Sequence, residues 1–124
     1  MYPLLMRPHY RHGAQTPWGG DALRTLFGKD IPDDQTGESL EISALPGRES
    51  IVANDELAGA TLAQAISTWG SALTGPGEGE FPLLWKLLDA REPLSAQVHP
   101  GDQYALAHEG KLGKTEAWLV LSAN

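Results

Sequence analysis

Three short apolar runs, each closed by turn-forming residues, crowd the last third of the chain: Phe81–Leu88, Leu94–His99 and Lys114–Ser122. Runs of six to nine residues bounded by proline, glycine and charged clusters are the length of strands rather than of independent helices. Asp89-Ala90-Arg91-Glu92-Pro93 forms the turn between the first two, and Pro100 stops the second. The expected result is antiparallel sheet. If a hairpin pairs Asp89 with Leu94, the register sets Lys86 opposite Gln97.

The first two thirds are more mixed. Asp21–Phe27 reads as a short helix, with Asp21 as N-cap, Leu23, Leu26 and Phe27 on one apolar face and Gly28 at the exit. Glu38-Ser39-Leu40-Glu41-Ile42-Ser43 alternates as a half-buried strand does, with Glu38 and Glu41 taken as strand decoration. Thr61-Leu62-Ala63-Gln64 matches a capping box ahead of an apolar stripe of Leu62, Ala65, Ile66 and Trp69. Gly70–Gly79 reads as a mobile loop, and Asp102–His108 as one helical turn capped by Asp102 that leaves His108 in solvent.

At 124 residues the chain has room for one domain, residues 1–124, and shows no internal repeat or convincing boundary. It contains no cysteine, so disulfides and thiolate metal sites are excluded, in keeping with a reducing cytoplasm. Nine basic against sixteen acidic residues, a net charge of −7, argue against nucleic acid or an anionic membrane surface as partner. A phosphorylated small molecule needs only a few local cations and stays open. Met1–Gly13 has no long apolar core before Arg7, so it is not read as a signal peptide. The uncharged stretch from Leu57 to Gly77 carries too many hydroxyl and amide side chains for a membrane span.

Strand parity gathers the polar residues. Gln97 and His99 are two apart and share a face, as do Lys114 and Glu116 on the next run, while Trp85, Leu87, Ala96, Val98, Ala117 and Leu119 fall on the packing side. An imidazole, a carboxylate and an amide oxygen suit zinc with an open position, and lysines beside it can bind phosphate or steady negative charge. A Gln-x-His pair by itself is common and is more often a surface or hydrogen-bonded pair than a ligand pair. Lys86 within an apolar strand is costly to bury unpaired, yet it could also snorkel at a sheet edge. Trp18 beside two glycines could border a site or anchor a loop, and His9 and His12 sit in a polar setting.

Phe81-Pro82-Leu83-Leu84-Trp85-Lys86-Leu87-Leu88-Asp89-Ala90, followed by Leu94-Ser95-Ala96-Gln97-Val98-His99-Pro100, resembles the signature of the type I phosphomannose isomerases. Gly113-Lys114-Thr115-Glu116-Ala117-Trp118 is similar to their next metal-bearing strand. Trp18-Gly19-Gly20, and Gly37-Glu38-Ser39 ahead of Ile42-Ser43, are similar to their N-terminal segments. The resemblance runs from about Pro17 to the end.

It implies a mainly β fold, a cupin-type jelly roll of antiparallel strands with N-terminal helices, of which this chain holds the N-terminal portion and part of the barrel. It further implies a cytoplasmic, zinc-dependent isomerase interconverting mannose 6-phosphate and fructose 6-phosphate through an enediol. Carried over by position, Gln97, His99 and Glu116 become metal ligands, and Lys86 and Lys114 line the sugar-phosphate site. Family members are longer, with a fourth ligand, a histidine, and an arginine downstream of the region covered here. The 124 residues alone are therefore expected to turn over little substrate and to leave strand edges for a second copy or a completing chain to cover. The alternative is a non-catalytic or split cupin module that binds a metal or sugar phosphate. Leu40 and Leu119 replace aromatic residues frequent in the family and keep the positions apolar.

Overall fold

In the computed structural model, which describes residues 1–77 and 81–123, the strands are β1 (Met6–Arg7), β2 (His9–His12), β3 (Thr36–Ile42), β4 (Ile51–Val52) and β5 (Trp85–Leu88). The helices are α1 (Ala22–Thr25), α2 (Leu62–Trp69), α3 (Ser71–Thr74) and α4 (Asp102–Glu109), with 3-10 turns at Gly13–Gln15 and Asp55–Leu57. None is long and apolar enough to cross a membrane among the described residues. The chain divides into two compact units, Met1–Leu94 and Ser95–Asn124.

In the first unit β3 is the centre of a three-stranded antiparallel sheet ordered β2-β3-β5, and β1 pairs β4 in a second, two-stranded sheet. Because β3 has a neighbour on each side, its backbone donors and acceptors are used in both directions. It is also buried on both faces: Thr36, Gly37, Glu38, Ser39 and Leu40 are all buried. The alternating sequence suggested a half-buried strand. What differs is that the polar side chains on it are paired internally rather than solvated. Leu23, Ile31, Leu40, Val52, Leu62 and Ala65 form the core. Burial of each leucine contributes on the order of 1.5–3 kcal/mol.

Helix α2 follows its local signals closely, whereas α1 exchanges its cap partner and ends at Thr25, leaving Leu26 and Phe27 of the expected apolar face exposed. The Thr61 hydroxyl accepts from the Gln64 backbone N–H at 3.1 Å, and the Gln64 side-chain oxygen accepts from the Thr61 N–H at 2.8 Å, closing the expected capping box. Leu62 and Ala65 carry the buried stripe, with Ile66 and Trp69 at its margin. At α1 the Asp21 side chain makes no cap bond. The carboxylate of Asp89, after β5, accepts from the Ala22 N–H at 2.6 Å instead. Gly70–Gly79 is not wholly loop, since α3 occupies Ser71–Thr74; residues 78–80 of that stretch lie outside the described residues.

The second unit is built around α4. It is longer than the single turn expected, and its N-cap is Gly101, not Asp102. Ala105 is the buried contact, and His108 is exposed as expected, stacked on Tyr104 with ring centroids 4.1 Å apart. The Asp102 carboxylate accepts from the Gly113 N–H at 2.9 Å. Leu94–His99 and Lys114–Ser122 take no strand assignment among the described residues. The expected register of Lys86 against Gln97 is replaced by Lys86 opposite Leu40 of β3. An alternating pattern specifies which face a side chain takes, but a strand forms only when a second backbone completes the ladder. Val98 and Leu119, assigned to the packing side, are 92% and 83% exposed, and Trp85 is 60% exposed.

Candidate functional site

Within the second unit, the loop after α4 is drawn back by close backbone packing. A Cβ on Gly113 would collide with the Pro100 carbonyl oxygen, so the approach requires glycine. It brings Lys114 and Glu116 up to His99. His99 Nε2 lies 3.0 Å from Glu116 Oε1, and the Trp118 indole N–H donates to that same oxygen at 3.1 Å. Lys114 Nζ lies 3.0 Å from the other oxygen, Oε2. A hydrogen bond from Lys114 first, then one from Trp118, pulls the Glu116 carboxyl down to about 2. The group is therefore a carboxylate throughout the neutral range. His99, Lys114 and Thr115, with Pro100, Gly101, Asp102 and Gly113, line a cavity of about 290 Å³.

Gln97 stands apart from these bonds. Its side-chain NH₂ donates to Ser95 Oγ at 3.3 Å, and its amide oxygen, the atom expected as a ligand, has no hydrogen-bond partner among the described residues. No cluster of three or more His, Cys, Asp or Glu side chains gathers to hold a metal among the described residues. In the second unit, His99 and Glu116 form a facing imidazole–carboxylate pair. Their facing donor atoms, 3.0 Å apart, are close to the ~3.3 Å that two ligands of a tetrahedral zinc would show.

The first unit holds a different cluster. Glu38, 6% exposed, is clamped between two cations on one face of the sheet. Arg11 Nη1 donates to Oε2 at 2.9 Å, and Lys86 Nζ donates to Oε1 at 2.9 Å. Burial pushes the Glu38 carboxyl up, but the hydrogen bonds and charges of Lys86 and then Arg11 outweigh it and hold the group below its ordinary value. On the opposite face Glu41 pairs with Lys29 at 2.6 Å and accepts from Ser39 Oγ at 2.6 Å. Neither glutamate is mere decoration. The signal for Glu38 was in the sequence: it shares strand parity with Leu40 and Ile42, which are apolar, not with Ser39 and Glu41. Arg11 had no such signal: it faces Glu38 only because β2 pairs with β3, and nothing local to β2 names that partner.

Trp18 takes the loop-anchoring role. Its backbone carbonyl accepts from the Glu92 N–H at 3.0 Å, and its ring lies so close to Gly37 that an added Cβ there would sit 2.6 Å from Cζ3. His12 forms an exposed pair with Asp33 at 2.6 Å, and His9 stands opposite Leu40.

Residues 9–115 match the family model described as phosphomannose isomerase type I, catalytic domain. The chain is 48% identical over 107 residues to the mannose-6-phosphate isomerase of Streptococcus mutans, covering 86% of this chain and 34% of that protein. It is 45% identical over 121 residues to the probable mannose-6-phosphate isomerase GmuF of Bacillus subtilis, covering 97% and 38%. Among solved structures, the mannose 6-phosphate isomerase from Bacillus subtilis superposes with a TM-score of 0.79 at 43% identity, over 91% of this chain and 35% of that one. The chain thus spans a little over a third of the length of these relatives.

Proposed function

We propose that this chain, which belongs to the type I phosphomannose isomerase catalytic-domain family, carries part of the site at which mannose 6-phosphate and fructose 6-phosphate are interconverted. The observation that supports it most is the His99–Glu116–Lys114 arrangement, in which one imidazole and one carboxylate face each other at 3.0 Å with an ammonium on the far oxygen. His99 and Glu116 are proposed as zinc ligands, with the Gln97 amide oxygen as the third. Bound there, zinc would act as a Lewis acid on the substrate's carbonyl and neighbouring hydroxyl. Lys114 keeps Glu116 ionised and contributes positive charge beside it. Lys86 is proposed to receive the phosphate with the N–H bonds that Glu38 leaves unused. The fold assigned with this reading is the cupin jelly roll, with zinc as the cofactor and a sugar phosphate as the partner.

A non-catalytic metal- or sugar-phosphate-binding module is the second reading, favoured by the gathering of two of the three proposed ligands rather than all three. The 124 residues alone are expected to show little turnover. Glu116 is about a third exposed, and such a site does not exclude water from a reactive intermediate. Zinc competition against a chromophoric chelator tests the ligand set: Glu116→Ala or His99→Ala should weaken zinc by at least ~100-fold. Unchanged affinity would remove the site. A coupled assay of mannose 6-phosphate conversion then separates enzyme from module, and robust zinc-dependent turnover indifferent to Glu116→Ala would overturn the catalytic assignment.

A further inference from the structure

Arg11 is remote in sequence from Lys86 and from every residue proposed to meet metal or substrate, yet the sheet sets it directly opposite Glu38. The Arg11 backbone is held by its carbonyl, which accepts from Thr16 Oγ at 3.0 Å, and Nη2 of the guanidinium makes a long contact of 3.5 Å to the Gln15 carbonyl. Nη1 then occupies one oxygen of Glu38 and leaves the other to Lys86. A carboxylate held by one cation can swing about its side-chain torsions. One held at both oxygens cannot, because moving toward either partner lengthens the other bond.

The charge count matters as well. Glu38 with Lys86 alone is neutral, whereas Arg11, Glu38 and Lys86 together carry one net positive charge on that face. His9 of β2 shares the face by register, since it pairs with Leu40, which pairs with Lys86 on β5. Lys86 uses one of its three N–H donors on Glu38 among the described hydrogen bonds.

We infer that Arg11 is a positioning residue for Lys86: acting through the shared Glu38 carboxylate, it holds the ammonium in place and keeps the cluster cationic toward an incoming phosphate. The inference rests on the assignment of Lys86 to the phosphate, but its test reads no turnover, so a failure of the isomerase reading leaves the test intact.

The experiment is side-chain ¹⁵Nζ relaxation of the lysine ammonium groups in the 124-residue chain and its Arg11→Met and Arg11→Lys variants. Lys29, paired with Glu41 on the opposite face of the sheet, is the internal control, and Lys111, 72% exposed at its side chain, is the loose reference. In the parent chain Lys86 should be as ordered as Lys29. In Arg11→Met its order parameter should fall below ~0.6, toward that of Lys111, with Lys29 unchanged. Arg11→Lys should recover most of the order. An unchanged Lys86 in Arg11→Met would overturn the inference. So would loss of order at Lys29 together with Lys86, which would make Arg11 a general support of the sheet, or an Arg11→Lys chain as loose as Arg11→Met.

Discussion

Glu38 and Glu116 are both carboxylates gripped at each oxygen by basic side chains, but they are gripped in different surroundings. The Glu38 side chain is 8% exposed, and it rides on a strand hydrogen-bonded to a neighbour on either side. The Glu116 side chain is 30% exposed, on a segment that joins no ladder among the described residues. The first is set by backbone, so its partners Arg11 and Lys86 converge from strands whose register is fixed. The second is set by side chains and one glycine contact, Gly113 against Pro100. The difference suits two kinds of work. A ladder-fixed carboxylate can hold its cations steady, whereas one set by side chains and reached by solvent is freer to change partners.

If the backbone-set region is the stable one, its core should respond most strongly to truncation. Leu40 is 2% exposed at the centre of β3. Leu40→Ala should destabilise by about 2–5 kcal/mol in urea unfolding, the range for deleting a buried leucine side chain with partial collapse of the cavity. A loss under 1 kcal/mol would mean that β3 is not the organising strand.

The two regions also differ in how far their sequence could be read. Helix α2 was legible to the residue, because Thr61, Gln64, Leu62 and Ala65 act within one turn of chain and need no distant partner. The strand containing Leu40 was legible in position, though not in burial, since Ser39 donates to Glu41 and Glu41 in turn pairs with Lys29, twelve residues away. Leu94–His99 and Lys114–Ser122 carry equally strong strand patterns and form no strand, because pairing is a property of two segments. At the candidate site, His99 approaches Glu116 at 3.0 Å while Gln97 bonds to Ser95 instead. The Arg11–Glu38 link was beyond reach: nothing local to Arg11 reveals which strand it will face.

The next contrast sets Glu38→Gln against Glu116→Gln. The first leaves Arg11 and Lys86, 28% and 23% exposed at their side chains, facing a neutral amide. It should cost about 1–3 kcal/mol at neutral pH, toward the lower end because both cations remain partly solvated. On the proposed ligand set, Glu116→Gln should leave folding nearly unchanged while weakening zinc binding. Acid titration sharpens this. The folded Glu38 carboxyl lies below its ordinary value, so its contribution is present above the unfolded value of about 4.3 and is lost as the pH falls from there through the folded value. The Glu38→Gln chain should lack that part of the acid loss when unfolding is followed by near-ultraviolet circular dichroism.

A smaller effect is expected where stability comes from one turn of helix. Thr61→Ala removes the acceptor for the Gln64 N–H and half of the capping box. The expected loss is about 1 kcal/mol, read as a lower urea midpoint with an unchanged slope. A change of slope would show that the cap governs more of the first unit than the start of α2.

The smallest expected effect falls on the second region. Leu119 belongs to a run, Trp118 to Leu121, whose members are between 59% and 83% exposed. An exposed leucine has little transfer free energy to lose, so Leu119→Ser should shift stability by less than about 0.5 kcal/mol. The substitution keeps the backbone free to extend and removes only the apolar side chain, so it asks whether anything covers that side chain in solution. A loss near that of Leu40→Ala would mean that Leu119 is packed, with its run paired to another strand or to a second copy of the chain. Repeating the measurement over a tenfold range of protein concentration distinguishes those two cases, because only pairing between copies makes the midpoint rise with concentration. A flat response near zero would instead fix the contrast with β3: equal strand patterns, one buried in a ladder and the other left to water.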